Sequence, residues 1–308
     1  MGKEKDIAEK TLEEYNDVFA DILNAVLFEG RQTVLPDELS DAVPRGQIKL
    51  DGKLHEQERD VAKTWRHGEL RIAFYGLENQ TEPDWDMPPR VIGYDGGNYK
   101  EQVLRRQAAS RNGTAAESLY PVITLVLYFG TNRWTGPRRL RECFGAPLPP
   151  ELEPFVQDYG INLVELAFLT PEQVARFKSD FRIVVDYLVQ TRTKDDYQPS
   201  EQIITHVDAL LKLMGAVTRD ERFVEHSNFV ESEGKERLNM CVVLDRVEAR
   251  GKALGEALGE ARGKTLGKLS ALADLVHDRL LPLHEAAIRA GMSDAEFEAH
   301  LKNLYPDS

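Results

Sequence analysis

Two acids and an amide stand out in the stretch Gln57 to Gln80, QERDVAKTWRHGELRIAFYGLENQ. Asp60 lies in its first half, and Glu78 and Gln80 close the second half as E-x-Q. Side chains on a strand alternate faces, so Glu78 and Gln80 share a face with Ile72, Phe74 and Gly76, while Asp60 shares one with Ala62 and Thr64. If the two halves pair as strands across a tight turn at His67-Gly68, these faces make one surface. It then carries two carboxylates and an amide oxygen within reach of a single divalent cation. Hard oxygen donors of this kind suit Mg²⁺, with Mn²⁺ as the alternative. Such an ion lowers the pKa of a bound water and neutralises charge building on a phosphodiester. A third polar group orients that water; the usual group is a lysine, and here Gln80 stands in its place. The spacing alone carries little, because acids at strand ends are usually solvated. Its weight comes from the elements around it.

Before the hairpin, apolar side chains at Leu12, Tyr15, Phe19, Ile22, Leu23, Val26 and Leu27 step by three and four, which predicts an amphipathic helix over residues 7–28, ended by Gly30. Asp17 and Asp21 lie four apart on one face of it, either as a polar surface or as support for the acids that follow. Gln47 to Leu50 is a short strand, and Asp51-Gly52 is a hairpin signal. After Gln80 comes a proline-rich loop, then a helix over residues 90–107 weakened by Gly93, Gly96 and Gly97. YPVITLVLYFG, residues 120–130, is the most hydrophobic run and reads as a buried strand. The order helix, three strands, helix, strand predicts a mixed sheet with a helix on each side. Residues 161–169 add a further strand, and helices are expected over 171–188 and 200–214.

Glycines then recur at 251, 255, 259, 263 and 267. A period of four drifts by about 40° per step on a helix of 3.6 residues per turn, giving a slowly winding bare stripe. Close approach of another helix, from a second copy of the chain, or a flexible spacer both account for it. Within this repeat Gly259 to Thr265 imitates a phosphate-binding loop, but its spacing is GxxxGKT, one residue short, and no strand precedes it. The last residues, around Ala286-Ala287, Gly291 and Ser293, read as a helical cap or as a degenerate helix-turn-helix motif.

The 308 residues carry 52 acidic against 39 basic side chains, a net charge of −13, which argues against a generally basic nucleic-acid binder and against an anionic membrane as partner. Any DNA contact needs a local patch. Residues 101–145 offer one, with Arg105, Arg106, Arg111, Arg133, Arg138, Arg139 and Arg141 against three glutamates. Arginines on solvated loops and helix faces account for it equally well. Cys143 and Cys241 stand alone, which points to a reducing compartment and away from zinc. No apolar leader and no run of about 18 apolar residues occurs, so a soluble cytoplasmic protein is expected. No serine sits in a GxSxG elbow.

The segments FADILNAVLFEG, RDVAKTW, GLENQT, MPPRVIGYD, YPVITLVLYFG, DYGINLVELAFL and SDFRIVVDYLVQ, with the glycine repeat, together resemble the recombination-promoting nuclease (Rpn)/putative transposase family of the PD-(D/E)xK superfamily. The similarity extends over most of residues 10–270. It implies an α/β restriction-endonuclease-like core over residues 1–245, with a glycine-repeat and helical extension over 246–308. By this resemblance Asp60 is the motif aspartate, Glu78 the following acid and Gln80 the residue in the lysine position. Asp17, rather than Asp21, is the helix acid. The implied activity is Mg²⁺-dependent DNA cleavage linked to recombination and mobile elements. Asp60 and Glu78 would hold the metal, and Arg90, Arg105, Arg106, Arg138 and Arg139 would meet phosphates. A neutral Gln80 cannot supply a lysine's electrostatic stabilisation. The rival is a weak or inactive nuclease fold that acts as a DNA-binding or oligomeric interaction protein. Separately, the glycine stripe predicts self-association through residues 251–268.

Overall fold

The computed structural model describes residues 12–42, 45–50, 53–58, 60–68, 70–115, 117–194, 197–218, 223 and 238–305. The turn at Asp51-Gly52 and residues 7–11 of the first expected helix lie outside them. The chain divides into two compact units, residues 1–243 and 244–308.

In the first unit, helix α1 (Asn16–Leu27) buries Val18, Phe19, Ile22 and Leu23 along one stripe. It ends where Glu29 and Gly30 turn left-handed at φ 55° and 85°. A Cβ on Gly30 would also sit 3.2 Å from the Arg176 side chain, so the left-handed backbone and the close approach both favour glycine there. Buried Asn24 fastens the returning loop: its Oδ1 accepts from the N–H groups of Thr33 and Val34, and its Nδ2 donates to the Val34 carbonyl.

The main sheet contains β1 (Leu39–Asp41), β4 (Val61–His67), β5 (Leu70–Gln80), β6 (Val122–Tyr128) and β7 (Asn162–Glu165), in the order β1-β4-β5-β6-β7. β2 (Arg45–Leu50) and β3 (Lys53–Glu58) form a separate antiparallel pair. Gln57 and Glu58 therefore close β3, and the chemically interesting hairpin is β4–β5, turning at Gly68 with φ 62°. Its register places Ala62 opposite Gly76 and Val61 opposite Leu77. β5 pairs antiparallel with β4 and parallel with β6, so it is the strand on which two kinds of ladder meet.

Alternation along β5 assigns the two faces. On one, Lys63 lies 5.7 Å from the Phe19 ring of α1, and Asn79 meets Glu13 just ahead of α1. Lys63 itself is 1 % exposed, with its Nζ reaching Asp41 at 2.5 Å. On the other face, Val126 and Tyr128 pack with Met87, Val91 and Trp134. Met87 and Val91 belong to α2 (Met87–Arg111), which is longer than its glycines suggested. Tertiary polar contacts override propensity here. Asp95 accepts from the Thr124 hydroxyl at 2.7 Å, Gln102 accepts from the Tyr120 N–H at 3.0 Å, and the Tyr99 hydroxyl accepts from the Val122 N–H at 3.1 Å.

The single helix expected over residues 171–188 is two helices, α3 (Pro171–Val174) and α4 (Phe181–Thr193). Asp21 explains the break: its carboxylate accepts from the N–H groups of Lys178 and Ser179 at 2.7 to 3.0 Å, which takes those amides out of any helical ladder. The helix expected from Ser200 begins instead at Val207 as α5 (Val207–Thr218). Asp180 holds the approach to it by accepting from the N–H groups of Thr205 and His206, which keeps those amides out of the helix.

The second unit is built on α6 (Met240–His277), which begins at the end of the first and contains the whole glycine repeat as uninterrupted helix. Around Gly255, Gly259, Gly263 and Gly267, apart from the helix's own backbone, no atom of the described residues lies within 4 Å of an added Cβ. Leu272 and Ala273 then pack with Ala286 and Ala287 of α7 (Leu283–Ala290) and Phe297 of α8 (Asp294–Leu304). Gly291 supplies the left-handed turn at φ 76°, and Ser293 with Glu296 forms a capping box. α8 carries Asp294 and Glu296 in its first turn, the wrong sign for a helix entering a DNA groove. Among the described residues, no helix is long and apolar enough to cross a membrane.

Two outcomes follow from this packing. Alanine at Gly255, Gly259, Gly263 and Gly267 meets open space, so each substitution is expected to stabilise the helix by about 0.5–1 kcal/mol, read as a higher melting temperature. A fall in mass by light scattering on the same substitutions would instead assign the stripe to contact between copies. Separately, Glu165 at the end of β7 accepts from the Trp134 N–H at 2.9 Å and pairs with Arg138 and Arg133. Burial pushes its pKa up, but these donors reverse that and hold it below the ordinary carboxylate value. A depressed folded pKa contributes stability above the unfolded value and loses it as pH falls through the folded one. Glu165→Gln is therefore expected to cost about 1–2 kcal/mol near neutrality, with the gap to wild type closing in acid denaturant titrations.

Candidate functional site

Asp60 stands one residue before β4, so continuing the hairpin register sets it across from Glu78 on the face covered by α2. Val61 and Leu77 form the last ladder pair between these strands. The Asn79 N–H just past it is taken by the Asp60 carboxylate at 2.7 Å, which fixes the acid against the end of β5. Glu78 is 2 % exposed and points under α2. Gln80, two residues on and on the same face, directs its Nε2 at Glu78 Oε1 at 3.4 Å. The three side chains singled out by spacing therefore lie together at one end of β5.

Arg90 dominates the electrostatics of this corner. Its Nη2 donates to Glu78 Oε1 and, at 3.1 Å, to the Tyr94 hydroxyl, while its Nη1 donates to Asp84 Oδ2 at 2.5 Å. Arg90 and Tyr94 are four apart on α2 and so share the helix face that looks onto the sheet. Asp84, on the loop between β5 and α2, also accepts from the Asp86 N–H at 2.8 Å. Burial would lower the Arg90 pKa, but Glu78, Tyr94 and Asp84 outweigh it, and the guanidinium is held charged more firmly than usual. The Tyr94 phenol is raised, first by burial and then by the Glu78 charge, with a further push from Asp60. Both carboxylates thus act on one hydroxyl.

Asp17 belongs to a different cluster. Its carboxylate meets His206 Nε2 at 2.9 to 3.0 Å, Tyr15 stacks on the His206 ring at 3.8 Å between centroids, and its charge acts on Asp180. Asp180 is raised by burial, which its backbone donors only partly offset. Among the described residues, an acid of the N-terminal segment that does reach β5 is Glu13, which accepts from Asn79 Nδ2 at 2.8 Å on the opposite face from Glu78. Strand parity marked Asn79 for that face, but no spacing signal singled out Glu13. Tyr94 and Asp84 were also missed, although the four-residue step from Arg90 to Tyr94 was readable.

The expected arginine patch is dispersed. Arg105 pairs with Glu101, Arg138 and Arg133 with Glu165, and Arg139 with Asp158, while Arg141 donates to the carbonyls of Glu153 and Val156. These last four tie down the loop after β6. Arg106 remains exposed and, with Arg105, Gln102 and Glu117, lines a concavity of about 270 Å³ that includes none of Asp60, Glu78 and Gln80.

Asp60 and Glu78 supply hard oxygens, and Mg²⁺ is typically held by one or two carboxylates with water and substrate phosphates completing the shell. The donor chemistry fits such an ion. Among the described residues no group of three or more His, Cys, Asp or Glu side chains forms a metal-holding set.

The family model described as Putative transposase, YhgA-like matches residues 67–217. Glu78, Gln80, Arg90 and Tyr94 fall inside the match, and Asp60 falls seven residues before it. No curated protein and no solved structure matches the chain.

Removing Arg90 leaves the Glu78 carboxylate buried without this partner. Arg90→Ala is expected to cost about 2–4 kcal/mol, at the lower part of the range for broken buried pairs because the guanidinium is partly exposed. Glu78→Gln in the same chain is expected to recover most of that, a coupling that a denaturant double-mutant cycle reads directly.

Proposed function

We propose that this chain, whose residues 67–217 match the family model described as Putative transposase, YhgA-like, a family of the recombination-promoting nuclease type, carries out Mg²⁺-dependent endonucleolytic cleavage of DNA in the service of recombination or element mobility. The core is then the PD-(D/E)xK arrangement. The observation that carries the reading is the buried Glu78 carboxylate beside Asp60 at the end of β5. Burying a charge costs on the order of several kcal/mol, which a cation held in the site offsets.

In this reading Asp60 and Glu78 hold the divalent ion, which supplies an acidified water and neutralises charge on the phosphodiester. The backbone N–H of Asn79 fixes the Asp60 carboxylate so that it needs no reorganisation. Gln80 offers an amide on the same face to orient the attacking water, without a lysine's charge. Arg90, at the solvent edge of the corner, meets the phosphate oxygens. Asp17 acts from the His206 cluster by tying the α1 segment to the start of α5, and Arg105, Arg106, Arg138 and Arg139 add outlying phosphate contacts.

A second reading is favoured by two observations: Gln80 stands in the lysine position, and an arginine already engages Glu78. It is a nuclease fold of low or no activity that binds DNA or partners. A nicking assay on supercoiled plasmid separates the two. Mg²⁺-dependent nicking that drops at least about a hundredfold (~2.7 kcal/mol) in Asp60→Ala and in Glu78→Ala is expected. Nicking retained in both variants would sink the assignment, and salt-dependent DNA affinity without cleavage would select the second reading.

A further inference from the structure

A carboxylate as buried as Glu78 stays ionised only with a cation beside it, including before any metal arrives. The guanidinium of Arg90 is that cation in the structure: Nη2 sits on Glu78 Oε1 and Nη1 on Asp84. Its fork therefore bridges one carboxylate that is 2 % exposed and a second that is 24 % exposed and nearer solvent. Arg90 is itself 36 % exposed, so it has somewhere to go. The Tyr94 hydroxyl, accepting from the same Nη2, keeps the group in the corner rather than in bulk water.

We propose that Arg90 is a resident stand-in for the divalent cation: its guanidinium holds the Glu78 oxygen that a metal needs, so metal loading and the Arg90–Glu78 ion pair exclude one another. The displaced guanidinium remains on Asp84 at the edge of the site. This rests on the reading of Asp60 and Glu78 as a metal-holding pair. Two cations crowded on one carboxylate repel at short range in a poorly screened corner, which is why sharing is disfavoured. Asp84 lowers the cost of the exchange by giving the guanidinium a second anion to rest on.

Calorimetric Mg²⁺ titration of the full chain, with Mn²⁺ as a second probe, reads the exchange without any activity assay. Arg90→Gln is expected to tighten Mg²⁺ binding at least about tenfold and to enlarge the melting-temperature rise on adding Mg²⁺. Arg90→Lys, which keeps the charge but not the fork, is expected to fall between. Asp84→Asn leaves Arg90 on Glu78 and removes its resting place, so it is expected to weaken Mg²⁺ binding several-fold. The nitrogen-15 resonance of the Arg90 Nε–H group, identified by its loss in Arg90→Gln, is expected to move on Mg²⁺ addition with the calorimetric midpoint. A wild type that binds Mg²⁺ while this resonance stays fixed at saturation overturns the exclusion, as does unchanged or weaker binding in a folded Arg90→Gln chain. Absence of Mg²⁺ binding in wild type and in every variant overturns the metal-site reading itself, and the proposal with it.

Discussion

The corner of the molecule that matters most depends on one ion pair, Arg90 on Glu78. A carboxylate facing the interior is tolerated only when its charge is matched, and here the match comes from the first turn of α2. The helix must therefore start where it does. Asp84 and the turn after β5 set its entry, Met87 and Val91 pack beneath it against β6, and Asp95, Tyr99 and Gln102 fasten its remaining length to the beginning of that strand. The ion pair and the packing of α2 are the same event seen from two ends. Asp60 joins from the other side through the backbone of Asn79, so the two acids are positioned by a strand, a helix and one amide rather than by a loop.

Much of this was readable in the chain. The two-residue period of LRIAFYGLENQ told which side chains share a face, and the left-handed turn at Gly68 closes the hairpin where it was expected. The apolar run around Val122–Tyr128 is a buried strand because its composition admits little else. What failed did so for tertiary reasons. Asp21 and Asp180 each take backbone amides from a segment far along the chain, and these contacts decided where α3, α4 and α5 begin and end. Local propensity has no access to a carboxylate 157 residues away.

The candidate site divides in the same way. Asp60, Glu78 and Gln80 are legible because strand alternation is strict, whereas helix spacing leaves Asp17 and Asp21 equivalent; Asp17, the choice that the family resemblance implies, lies with His206 instead. The arginines after residue 130 looked like a basic surface because sequence counts charges without their partners. In the fold most of that charge is spent on Glu165, Asp158 and the carbonyls of Glu153 and Val156.

Glu78 and Asn79 are neighbours in sequence and face opposite layers, one toward Arg90 and the other toward Glu13. A slip of β5 by one residue that carried Glu78 into the place of Asn79 would carry Leu77 into the place of Glu78. Glu78 would then confront Glu13, like charge on like charge in a dry layer, while Arg90 would face an aliphatic side chain. The pair acts as an alignment key: hydrophobic alternation alone leaves neighbouring registers close in energy, and these two polar side chains make the wrong one electrostatically forbidden.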